Sequence, residues 1–158
     1  MSETSNEVFK GVNLKPYVMR FALIFAAFST IALVVVTWYQ ISGNTGLSFG
    51  ILIASVLATC QKFVGEQKRV FTKKEKISMA FYSMLVSLIV SFLLFVAFIL
   101  ATGEDPKIWM DQLLNLMPLW MAIVSLILAA AFNFGMLYLS YSIFDKHILK
   151  GMVKRGEV

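Results

Sequence analysis

Ser83, Ser87 and Ser91 recur at four-residue steps inside a long run that carries no charge. A four-residue step returns to nearly the same face of a helix, so the three hydroxyls form one polar line. Such a line can be a tight packing seam, with interhelical hydrogen bonds averaging about 0.6 kcal/mol each. It can also be one wall of a polar path through an apolar layer. Serines can bond carbonyls of their own helix and need no water, which makes the seam the plainer reading. Asn133 is the most polar side chain deep in any apolar run, and Ser125 and Ala129 share its face. An unpaired amide is costly in hydrocarbon, so Asn133 should point inward. Its use there is either a structural hydrogen bond or a substrate contact.

Other chemistries fail on residue type or spacing. A nucleophile needs a base beside it, and no His, Lys or carboxylate lies at the depth of these serines. Metal sites need clustered ligands, yet His147 stands alone and Cys60 is distant from it in sequence. The single cysteine excludes an internal disulfide and reads as packing. His147 reads as a solvated residue in the last turn of a helix, where a cation suits the dipole. There is no phosphate-binding or dinucleotide fingerprint. No Asp or Glu falls within a predicted span core, which argues against a proton-driven exporter, since proton relays use embedded ionisable groups. The sequence thus predicts no catalytic, metal or cofactor site and no enzymatic activity.

The elements that position these residues follow from hydropathy. Of 158 residues 59% are apolar and 15% charged, against about 25% charged in soluble domains. One domain fits this length, but a water-soluble fold of this size could not bury so much apolar surface. A bilayer can receive it. Four spans are predicted, at about 17–39, 47–64, 77–101 and 119–144. They sit in a transmembrane domain over 16–147, after a polar segment 1–15 and before a basic tail 148–158. The polar, acidic start does not read as a cleavable signal peptide.

Local signals refine the spans. Pro16 suits the first turn of helix 1, and Pro118 opens or kinks helix 4. Ser42–Gly46 reads as a tight turn. Gly65 is a helix stop signal, and Thr72 with Glu75 fits a capping box that starts helix 3 before the membrane. Lys107–Leu116 reads as a short interfacial helix. In span 2, Gly46, Gly50, Ala54 and Ala58 form a small-residue stripe that lets another helix approach closely, as in bundles or dimers.

Cations set the threading. Thirteen of the fourteen Lys and Arg residues fall on one side of the four spans. Six of them, Lys62, Lys68, Arg69, Lys73, Lys74 and Lys76, lie in the run from the inner end of span 2 to the start of span 3. The positive-inside rule then puts both termini and this loop in the cytoplasm. Trp38, Trp109 and Trp120 cluster near the opposite interface, where such rings prefer to sit. The expected fold is an all-α, four-helix up-down transmembrane bundle with short connections. The net charge of +5 points to anionic lipid headgroups, with Lys73, Lys74 and Lys76 at headgroup level. Phe63, Val64, Val70 and Phe71 interleave with the cations and read as a surface dipping into lipid. Nucleic acid is not an expected partner, because topology explains the patch.

The run Gln61–Lys76, QKFVGEQKRVFTKKEK, followed by an apolar span with spaced serines, resembles an uncharacterised family of small four-span bacterial inner-membrane proteins. The resemblance implies a bacterial source and the four-span layout, and brings no activity or site. The function expected is that of a non-enzymatic, multi-pass inner-membrane protein working through helix and lipid contacts. It would be a membrane-complex subunit, a modulator or a toxin-immunity-type protective factor. The alternative is a small dimeric transporter or channel lined by Ser83, Ser87, Ser91 and Asn133, not coupled to protons through an embedded carboxylate.

Overall fold

The computed structural model describes residues 12–39, 45–103, 107, 111 and 118–157. The polar segment before Val12, residues 42–44 of the first turn and all but Lys107 and Asp111 of the expected interfacial helix lie outside them. The described residues form four long helices. They are α1 (Lys15–Tyr39), α2 (Thr45–Gln67), α3 (Lys73–Thr102) and α4 (Leu119–Lys154). All four are long and apolar enough to cross a membrane.

The helix ends follow local chemistry. Asn13 Oδ1 accepts from the Lys15 N–H at the start of α1. Thr72 caps α3: its hydroxyl accepts from the Glu75 N–H, and Glu75 reaches back to the Thr72 N–H. This reciprocal pair satisfies two orphan donors. Gly103 ends α3 in the left-handed conformation. α4 begins after Pro118 and continues ten residues past the expected span end at Phe144. It closes with the Glu157 N–H on the Met152 carbonyl and the Gly156 N–H on that of Val153, a Schellman arrangement.

The helix stop expected at Gly65 is corrected. α2 runs on to Gln67, and Lys68 makes the turn at φ 52°. A Cβ in that region costs roughly 1–2 kcal/mol, a penalty glycine escapes. Replacing Lys68 with glycine should therefore raise stability by about 1 kcal/mol. Melting in detergent checks this, and an unchanged or lower midpoint refutes the strain.

Packing places α1 against α2 and α3, and α4 against the same two. Consecutive helices α2 and α3 thus lie across from each other, so the Lys68–Thr72 link crosses the end of the assembly. The core gathers at this end: Tyr17 and Phe21 from α1, Val56, Cys60 and Phe63 from α2, Phe71 from the link, Met79 from α3, and Leu137 and Tyr141 from α4. Toward the far end the helices expose leucine, isoleucine, valine and phenylalanine almost all round. That is the composition expected of surface in contact with lipid.

α2 has the largest buried share of the four helices. Its buried face is Leu52, Ser55, Val56, Thr59, Cys60, Phe63 and Val64. Ser55 and Thr59 satisfy their hydroxyls on the carbonyls of Ile51 and Ser55, one turn back. That lets polar side chains sit in the core without outside partners.

Candidate functional site: a polar seam beneath a cavity

Three polar rungs join α3 to α4. Nearest the link, Lys76 Nζ lies 3.0 Å from Asp145 Oδ2, with both side chains buried. Next, the Ser83 and Tyr141 hydroxyls share a 2.8 Å hydrogen bond, again buried. Farthest in, Asn133 Nδ2 donates to Ser87 Oγ at 3.4 Å, and Ser87 donates to the Met84 carbonyl. Positions 76, 83 and 87 share one face of α3, and 133, 141 and 145 one face of α4. Two oxygens in the seam are buried without a hydrogen-bond partner, Asp145 Oδ1 and Asn133 Oδ1. Cys60 from α2 is buried within electrostatic reach of Lys76 and Asp145.

The link covers the seam at its charged end. Phe71 stacks on Phe63 with centroids 3.6 Å apart and meets the Tyr141 ring edge-on. The Phe71 N–H donates to Asp145 Oδ2 at 3.1 Å, so one carboxylate oxygen receives both Lys76 and the link backbone. Arg69 makes a two-pronged bond to Glu75, at 2.7 and 2.8 Å, with its guanidinium 5.3 Å from the Phe63 ring centre. That hydrogen bonding raises the Arg69 pKa further, so the pair stays charged. Nearby, Tyr17 donates to the Glu66 carboxylate at 2.7 Å and accepts from Gln67.

Beyond Ser87 the helices part. A cavity of about 660 Å³ lies between α1, α2 and α3, lined by Ser29, Ala32, Leu33, Ser48, Ser91 and Phe95 among others. A second, of about 250 Å³, reaches α4 and is lined by Ser87, Ser91, Asn133 and Phe132 among others. Phe25, Ser48 and Ser91 line both. No charged side chain lines either.

The sequence candidates divide accordingly. Ser83, Ser87 and Asn133 come together in the seam, and Ser91 opens onto the cavities, whereas Ser125 is exposed. In the small-residue stripe Gly50 and Ala54 are exposed and Ala58 is half-buried. A Cβ on Gly50 would meet nothing within 4 Å. Lys73 and Lys74 are exposed, Lys62 pairs with Glu66 at 3.6 Å, and Lys68 donates to the Glu157 carbonyl.

Two expectations are corrected. Lys76 does not stand at headgroup level with its neighbours: it turns inward, because Asp145 offers a buried counter-charge. Phe63, Val64 and Phe71 do not dip into lipid; they fill the protein core. Asp145 itself escaped the sequence reading, which ended the fourth span one residue before it. It is a protein-buried acid that lies just outside the predicted span core, where the search for embedded acids stopped. The available signal was its place four residues after Tyr141, on the same helix face.

Among the described residues no cluster of His, Cys, Asp or Glu could hold a metal. No protein-family model, curated protein or solved structure matches the chain. The resemblance at Gln61–Lys76 accordingly carries no residue role.

Proposed function

We propose that this chain is a non-enzymatic integral protein of the bacterial inner membrane, with both termini and the Lys68–Thr72 link in the cytoplasm. It works by docking a membrane-embedded partner helix into the larger cavity between α1, α2 and α3, as a subunit or modulator of a membrane complex. The observation that carries this reading is the division of the chain into a packed end and a parted end. Ser29, Ala32, Ser48 and Ser91 converge on the larger cavity. Small side chains at such a groove let a second backbone come close, which is how helices associate in lipid. A photo-crosslinking amino acid at Leu33, used in native membranes, tests it. A discrete protein adduct is expected, and adducts to lipid alone overturn the reading.

A second reading, a small transporter, is favoured by one observation: the cavity floor continues into the seam through Ser87 and Asn133. It requires Asn133→Ala to change solute flux in proteoliposomes at normal expression. Unchanged flux removes it.

A further inference from the structure

We propose that the Lys68–Thr72 link is a displaceable strap, latched by Asp145, that closes the cytoplasmic entrance to the polar seam. Its parts are all local. Lys68 sits at φ 52°, where a side chain other than glycine's is strained, so the turn favours release. Phe71 plugs the space between Phe63 and Tyr141, and its N–H bond to Asp145 Oδ2 ties the strap backbone to α4, while the exposed Lys68 Nζ bonds the Glu157 carbonyl beyond the helix end. Lys76 competes for that same oxygen, while Oδ1 has no partner. The carboxylate thus concentrates two donors on one oxygen and leaves lone pairs free on the other.

Lifting the strap uncovers Asp145, Lys76 and Cys60 and admits water to the charged rung. Water supplies the bond that Oδ1 lacks, which offsets part of the cost of separating the stacked rings. Arg69 and Glu75 act as the pivot, since their pairing holds the strap to the first turn of α3. The proposal is independent of what occupies the cavity: a strap can move in a subunit or in a transporter.

Cys60 is a built-in reporter, being the single cysteine and fully buried in the same core cluster as Phe71. The measurement is its labelling rate by N-ethylmaleimide in the full chain, reconstituted in liposomes. Two double variants isolate the latch. Lys76→Met with Asp145→Asn keeps an oxygen that accepts from the Phe71 N–H. Lys76→Met with Asp145→Leu removes it. Both avoid an unpaired buried charge, so both are expected to fold. Labelling should be slow in the wild type and in the asparagine variant, and about tenfold faster in the leucine variant, the factor corresponding to one hydrogen bond of ordinary strength. Equal rates in the two double variants overturn the latch, and so does rapid labelling of the wild type. If the leucine variant aggregates, hydrogen exchange on the wild type decides. Amides of residues 69–72 exchanging together, and faster than those of Phe63 and Met79, support the strap. Equal protection overturns it.

Discussion

Replacing Asp145 with alanine is expected to destabilise the chain by about 3–5 kcal/mol. The loss does not measure the strength of the ion pair. Lys76 would be left without its counter-charge in a place with almost no access to water, and the Phe71 N–H would lose its acceptor. An uncompensated buried charge is the costly state, whereas a well-packed apolar pair of similar volume is often neutral or stabilising. Lys76→Met with Asp145→Leu should therefore recover most of the stability lost in Asp145→Ala. Unfolding in mixed micelles, followed by far-ultraviolet circular dichroism, reads both values. A single alanine variant as stable as the wild type would mean that Asp145 is not enclosed.

Removing the Phe71 ring should cost a comparable amount. Phe71→Ala takes away a side chain 2% exposed and stacked on Phe63. Large-to-alanine changes at buried aromatic positions cost about 3–5 kcal/mol, because a cavity is left as well as lost transfer energy. Phe71→Leu retains much of the volume and should lose less than half as much. A melting midpoint lower by about 10 °C is expected for the alanine variant. If alanine and leucine melt together, the ring is not packed as described.

These two residues also show where the sequence was legible and where it was not. The four helices were readable because length and hydropathy are properties of one segment at a time. The Thr72–Glu75 cap was readable for the same reason: both partners lie within one turn. Asp145 was not, because a charge that follows a long apolar run looks like the exit into water. What buries it is Phe71 and Lys76, and Phe71 is 74 residues away. Phe63 and Phe71 were read as dipping into lipid, because hydropathy does not say whether lipid or protein covers an apolar ring. α2 offered two faces with small or polar side chains. The stripe through Gly50 and Ala54 had the cleaner spacing, yet the core formed on the face with Ser55, Thr59 and Cys60. That face packs in one cluster with Phe21 and Tyr141 of other helices, and spacing within α2 does not encode such partners.

The crossing of the link over the end of the helices bears on biogenesis. Because α3 packs between α1 and α4, its inward face stays open until the last helix leaves the translocation machinery. The ammonium of Lys76 must wait in water or among headgroups during that interval, and only the arrival of the fourth helix draws it inside. Synthesis order thus becomes assembly order: a nascent chain stalled before Asp145 carries a polar flag that a finished one conceals.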